Sequence, residues 1–289
     1  MQLDTSKSNT LDAIAAGYIA RLPESEGRRM LTYTLGLHRM WRSVLSRLPI
    51  ESHATILDVG TGYGILPFEI AANLDVDVVA SDIMAEYVAS CNELAQILRS
   101  MGHTRPGARL CFEQADIINL PNPDQHFDLV TVREVFSYLS DPAKAAAELR
   151  RVTKAGGTIV VEDIDDHLYL TYPPASPAMA TLHRAVDQLQ SLGGGDREAG
   201  RKLSTYLEGA GLTISSVEVI PEALHTTADP TQGEKAFIVQ QIAGVRDRII
   251  AAGILSPEEF DRNIAELASE PPISQFRMNG RVIVFATAP

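Results

Sequence analysis

Two periodicities divide this chain. Over the first fifty residues apolar positions recur at helical spacing. Leu11, Ile14, Ala15, Tyr18, Ile19 and Leu22 form one stripe, and a second periodic stretch runs from Met30 to Leu48. Pro23 and Gly27 punctuate the two helices, and Pro49 ends the second. From Ala54 the pattern changes to short apolar runs that alternate with amphipathic helices. The runs are Thr55–Val59, Val76–Ser81, Ala108–Gln114, Phe127–Val132 and Gly157–Glu162. Helices are expected after the first run through Leu74, then over 85–101 and 142–153. Strands separated by helices imply right-handed βαβ units and a parallel sheet. Their nearly unbroken hydrophobicity fits strands covered on both faces.

Beyond Asp163 a Pro-containing loop leads to helices near 178–192 and 198–210, with the run Gly193-Gly194-Gly195 between them. Leu212–Ile220 and Arg281–Thr287 read as two more strands. Residues 222–278 between them read as largely helical, with a capping box at Ser256 and Glu259. Four segments are expected: an N-terminal helical cap (1–50), a cofactor-binding α/β domain (51–221), a helical insertion capping the substrate (222–278), and a C-terminal strand (279–289).

The strongest chemical signal is Asp58-Val-Gly60-Thr-Gly62-Tyr-Gly64, directly after the first strand and opening a helix. Closely spaced glycines let the backbone approach a ligand and adopt positive φ. A dinucleotide fingerprint places its third glycine where this chain has Ile65, and no Gly-Lys-Ser/Thr follows as in a phosphate loop. An acid two residues before the first glycine can hold an ammonium. Asp82, closing the second strand, stands where a carboxylate grips ribose hydroxyls, though a lone Asp there is equally a helix cap. Asp116 follows the third strand. It can accept from an adenine amine with Ile117 as apolar wall, or simply close a turn.

Composition narrows the partners. A formal net charge of −12 argues against nucleic acid and against a polybasic membrane surface. Arg28, Arg29, Arg39 and Arg42 could form a basic patch, but a solvated helix face is the plainer reading. The two cysteines, Cys91 and Cys111, fall in a helix and a strand and belong to no metal-ligand cluster. No metal is expected. No signal-like N-terminus or membrane-length apolar run is present, so a cytoplasmic protein is expected.

These motifs together resemble the class I S-adenosylmethionine-dependent methyltransferases, in the branch of the ubiquinone, menaquinone and natural-product enzymes. The residues that carry the resemblance are ILDVGTGYG (56–64), Asp82, QADIINLP (114–121), FDLVTVREVFSYLSDP (127–142) and LRRVTKAGGTIVVEDID (149–165). It implies a doubly wound seven-stranded sheet, mostly parallel, of order 3-2-1-4-5-7-6 with the last strand antiparallel. It implies Gly60 and Gly62 under the methionine part of the cofactor, flanked by Thr61 and Tyr63. Asp82 with Ile83 would take the ribose, Asp116 with Ile117 the adenine, and Arg133 the methionine moiety, near Asp58. The segment Glu134–Leu139 lacks the His that the family often has there. Gly200 and Arg201 match a segment that supports the fold.

A sulfonium methyl is already activated, so the protein must chiefly align donor and acceptor and exclude water. A base is needed only if the acceptor must lose a proton. Candidates are Glu134, Tyr138, Glu162, Asp163, Asp165 and His167 near the ends of strands 4 and 5, and His38, Tyr18 and Tyr33 on the cap. A loop His such as His167 is commonly only solvated, and His38 on an amphipathic helix is commonly packing. Tyr33, Trp41, Tyr169 and Tyr172 could wall a planar acceptor. The expectation is methyl transfer to O, N or C of a small-molecule acceptor, by a protein that could pair as a homodimer through its helical arm. Alternatives are a related fold recruited for cyclisation, or a non-catalytic cofactor-binding scaffold.

Overall fold

A computed structural model describes residues 4–22, 28, 32, 35, 42, 44–48, 50–227, 234–271 and 273–289. The chain begins with α1 (Thr5–Ile19), capped by Asp4, whose carboxylate accepts from the Ser6 N–H. Its stripe of Leu11, Ala15, Tyr18 and Ile19 is buried, as its spacing predicts. Then β1 (Thr55–Val59), α2 (Ile65–Asn73), β2 (Asp77–Asp82), α3 (Ala85–Ser100), β3 (Arg109–Gln114) and β4 (Phe127–Arg133) alternate. They continue through α4 (Pro142–Val152) and β5 (Thr153–Ile164) to a short strand, β6 (Leu170–Tyr172). The remainder is α5 (Pro177–Leu192), α6 (Ala199–Gly209), β7 (Thr213–Thr226), α7 (Glu234–Ala243), α8 (Arg246–Ala251), α9 (Pro257–Ser269) and β8 (Gln275–Thr287).

The sheet has eight strands, with β3, β2, β1, β4 and β5 parallel in that order. β8 then runs antiparallel between β5 and β7. This is the expected doubly wound order, with β7 and β8 as its sixth and seventh strands. One short strand is added: β6, which pairs with the start of β8 inside what reads in sequence as a Pro-containing loop. Three residues are too few to display a period. β7 and β8 are also longer than their apolar cores suggest, reaching Thr226 and Gln275, so the segment between them is helical over a shorter stretch than 222–278.

Each face of the sheet has its own core. Leu57, Val59, Val130, Val132, Val161, Val282 and Val284 pack under α4 and α6. Ile56, Val78, Leu129, Val160 and Ile283 face α2 together with Val44, Leu45 and Leu48. α1 lies on α2 and α3, with Leu11, Tyr18 and Ile19 against Tyr63, Phe68, Cys91 and Phe112. It is clamped there by Arg42, which donates to both carboxylate oxygens of Asp12 at 2.9 and 2.8 Å, to Ser8 O at 2.9 Å and to the buried Glu69 at 3.3 Å. Arg42 is therefore a cross-link, not part of a solvated basic face. Arg29 and Arg39 lie outside the described residues.

A separate apolar cluster joins Ala178, Leu182 and Ala185 of α5 to Ile242, Ile249, Phe260 and Leu267 of α7–α9. α9 begins with the capping box at Ser256 and Glu259 that the sequence predicts. Ile164, the last residue of β5, pairs with Arg281. Residues 275–280 of β8 and their partners 221–226 of β7 therefore extend past the carboxyl end of β5. The helices between those two arms connect on that side of the sheet, where open α/β folds keep their ligand crevice. No described helix is long and apolar enough to cross a membrane.

Candidate functional site

The glycine loop is built by the turn from β1 into α2. Gly60 and Gly62 have φ of 70° and 55°, a region that costs a side-chain-bearing residue strain. A Cβ on Gly60 would meet Val135 Cγ2 at 2.2 Å, so that glycine lets the segment after β4 close onto the loop. A Cβ on Gly62 would meet nothing within 4 Å: the backbone there faces open space.

The loop's amides are already committed. The N–H groups of Gly60 and Thr61 both donate to Ser81 O, at 2.8 and 2.9 Å. Gly62 N–H donates to Asp82 Oδ2 at 2.8 Å, and Met84 N–H donates to Asp82 Oδ1 at 2.9 Å. A phosphate-binding loop presents such donors to its ligand. Here they tie the loop to the end of β2, which suits a ligand without phosphates. Asp82 thus anchors the glycine loop to the turn before α3 without capping that helix, and burial raises its pKa above the usual carboxylate value. Beside it Ile83 and Met84 are 60% and 44% exposed, an apolar shelf next to a carboxylate.

Asp58 is buried on β1 and accepts from Thr131 Oγ1 at 2.7 Å; burial raises its pKa too. Thr61 is buried, and Tyr63 is buried with its ring 4.7 Å from that of Tyr87. Asp116 closes its own turn, accepting from Ile118 N–H at 3.1 Å, which leaves its second oxygen uncommitted to that bond. Ile117 is buried in the core with Val59, Leu120 and Val130. The exposed Ile83 and Met84 provide further apolar surface at this end of the sheet.

At the carboxyl ends of β4 and β5 the structure collects charge. Register places Arg133 opposite Glu162, and Glu162 opposite Ile283, with Arg281 two residues further along the same face of β8. Arg281 and Glu162 are 3% and 1% exposed. The Arg281 guanidinium pairs with Glu134, and its Nε lies 3.9 Å from Glu162 Oε1. Glu134 has φ of 50°, a left-handed conformation uncommon for Glu. Burial, then the charge of Glu134, push the Glu162 carboxyl well above its usual range. Asp163, on the opposite face, holds the turn Phe136–Tyr138 by accepting from Ser137 N–H at 3.0 Å, and burial moves its pKa to about 6. Arg281 is the residue that sequence reading missed. It lies far from strands 4 and 5 in the chain, and its only local signal is a charge at the head of an apolar strand.

The other base candidates are placed less favourably. His167 is largely exposed, and its Nε2 lies 2.8 Å from Glu198 on α6. Asp165 is bound by Arg201 at 2.7 Å and by the His167 N–H at 3.0 Å. Tyr138 and Tyr172 are 61% and 76% exposed. Tyr18 donates to Glu93 at 3.0 Å. His38, Tyr33 and Trp41 lie outside the described residues. A cavity of about 270 Å³ beside Arg150, Arg151 and Thr153 sits at the amino ends of the strands, away from all of these groups.

Fold and glycine loop together define a class I S-adenosylmethionine-dependent methyltransferase domain. Comparison with known proteins agrees: a family model described as a methyltransferase domain matches residues 50–211, more than half of the chain, and the chain belongs to that family. It is similar to the ubiquinone/menaquinone biosynthesis C-methyltransferase UbiE of Bdellovibrio bacteriovorus, with 28% identity over 53% of this chain and 59% of that protein. It is also similar to the O-methyltransferase cnsE of Penicillium expansum, with 28% identity over 68% of this chain and 69% of that protein. The chain spans about three fifths of the length of the first curated relatives it matches. Among solved structures, the [4+2]-cyclase SpnF shares the fold at a TM-score of 0.54 and 20% identity, over 87% of this chain and 81% of that one.

Proposed function

We propose that this chain binds S-adenosylmethionine at the carboxyl ends of β1, β2 and β4 and transfers its methyl group to a small-molecule acceptor. The cofactor supplies an activated methyl on a sulfonium. The chain's residues bind, orient and exclude water. The observation that carries this reading is the glycine loop tied to Asp82, with its amides spent internally and Gly62 facing open space. Such a loop fits a ligand that brings an amino-acid group and a ribose but no phosphate. Asp82 would take the ribose hydroxyls with its remaining lone pairs, Asp58 and Arg133 would flank the methionine part, and Asp116 would reach the adenine amine. The N-terminal helices and the helices between β7 and β8 would wall the acceptor. The names of the curated relatives support carbon or oxygen as the accepting atom. A cytoplasmic enzyme, monomeric or paired through its N-terminal arm, completes the reading.

The test is calorimetric titration of purified protein with S-adenosylhomocysteine, with NADH as control. Micromolar binding is expected, weakened at least tenfold by Asp82→Ala, with NADH inert. Folded, ligand-free protein that does not bind would refute the reading. A cyclase-type activity on the same fold is separated by its products: methyl transfer accumulates S-adenosylhomocysteine in step with turnover, and cyclisation does not.

A further inference from the structure

The run Gly193-Gly194-Gly195 does more than end α5. Gly194 has φ of 85°, so this one glycine already supplies the left-handed residue at which helices commonly end. Gly195 is not left-handed, and a different reason applies to it. A Cβ there would meet both Ser137 O and Gln190 Cγ at 2.7 Å. A Cβ on Gly194 would meet Ser140 Cβ at 2.8 Å. The run thus lets the end of α5 close onto the segment after β4.

What closes there is a latch on one carbonyl. Ser137 is buried, and its carbonyl accepts from Gln190 Nε2 and from the Asp196 N–H, both at 2.8 Å. Gln190 is itself held twice over. Its side-chain oxygen accepts from Arg197 Nη1 at 3.1 Å, and its backbone carbonyl accepts from the Gly193 and Gly195 N–H groups, both at 3.0 Å. A side-chain amide that donates and accepts at once is fixed in orientation. Arg197 also reaches Asp187, one turn earlier on α5, at 3.0 Å, and Asp166, beyond β5, at 2.9 Å.

The same short segment carries Val135, whose Cγ2 fills the space that Gly60 leaves in the glycine loop. Tyr138 N–H donates to Val135 O at 2.9 Å, so Ser137 and Val135 belong to one turn. α5 in its turn carries the helices between β7 and β8, because Leu182 and Ala185 pack with Ile249, Phe260 and Leu267. Contacts therefore run from α8 and α9 to α5, through Gln190 to Ser137, and through Val135 to Gly60. A ligand in the open space at Gly62 restrains the loop, and a restrained loop fixes Val135. We infer that Gln190 is a positioning residue that couples this helical cap to the glycine loop, so that filling the cofactor site steadies the cap over the acceptor. The inference rests on the cofactor site proposed above. Such coupling is reciprocal: whatever steadies the cap tightens cofactor binding by the same factor.

The test is hydrogen–deuterium exchange of the full chain with and without saturating S-adenosylhomocysteine. Amides of α5 and α9 should exchange about fivefold more slowly with ligand, the lower end of ordinary coupling between sites. Gln190→Glu keeps an acceptor for Arg197 but loses the N–H given to Ser137 O, and should reduce that slowing to less than about twofold. Gly195→Ala, which places a Cβ against Ser137 O and Gln190, should do the same. Gln190→Glu alone reads the inference if Gly195→Ala does not fold. Gln188→Glu, the same change at an exposed position of α5, should keep the full slowing. A residue that only stabilises the fold would speed exchange with and without ligand alike, leaving the ratio unchanged. An unslowed wild-type cap, full slowing in Gln190→Glu, or its loss in Gln188→Glu would each overturn the inference. Folded wild type that does not bind S-adenosylhomocysteine would overturn instead the cofactor reading on which it rests.

Discussion

Replacing Gly60 by Ala perturbs the fold in two separable ways. At φ of 70° a Cβ costs about 1–2 kcal/mol in the left-handed region. The same Cβ would lie 2.2 Å from Val135 Cγ2, and relieving that overlap by displacing the segment after β4 costs a further 1–3 kcal/mol or about that. Gly60→Ala should therefore destabilise by about 2–5 kcal/mol. Val135 Cβ would be 3.6 Å from the new atom, an ordinary contact, so Val135→Ala removes the overlap while leaving the backbone strain. Val135→Ala alone should cost about 1–2 kcal/mol for its half-buried methyls. The double variant should be more stable than the sum of the singles by about 1–3 kcal/mol. Urea unfolding of all four proteins measures this, with an unchanged denaturant slope as the check that the unfolded state is the same. Additivity within about 0.5 kcal/mol would show that the loop does not depend on close approach of Val135 to Gly60, and would refute the packing argument.

Asp163 ties stability to pH. Its carboxyl is raised to about 6 by burial, so the folded state binds a proton more tightly than the unfolded chain. That contribution is full below the unfolded value of about 3.9 and is lost as pH rises through about 6. The stability of Asp163→Asn minus that of wild type should rise between those values by up to about 3 kcal/mol; a flat difference curve would remove the assignment. Arg42→Met should destabilise by about 2–4 kcal/mol, because among the described residues it leaves the buried Glu69 carboxylate with Ser8 as its one side-chain hydrogen-bond partner. An unfolding midpoint equal to wild type would mean that the Arg42 clamp does not hold α1 to α2.

Much of the scaffold is legible in the residues themselves. β1 is bounded by the same residues in the sequence reading and in the structure, because a strand buried on both faces leaves a short, nearly unbroken apolar run. The glycine loop is legible because few residues other than glycine tolerate its backbone. α9 is legible from its capping box, whose two hydrogen bonds are local. β6 is not, because it is a strand only through its pairing with β8. The outward look of Arg42 also misled, since the partners that bury it come from α1 and α2.

Local chemistry thus determined the alternation of strands and helices, the glycine loop and the acids near the ends of β1 and β2, while the strand order followed only from the family resemblance. Only the tertiary structure decided how those acids are used, turning the Asp82 carboxylate toward the loop amides and Ile117 into the core. It also decided which ionisable groups meet. Glu134, Glu162 and Arg281 converge because β8 enters antiparallel between β5 and β7 with Glu162 opposite Ile283. A shift of one residue in that register would turn Arg281 to the other face of the sheet. Side chains alternate between faces along a strand, so a residue's neighbours across the sheet follow from pairing that no local stretch of sequence contains.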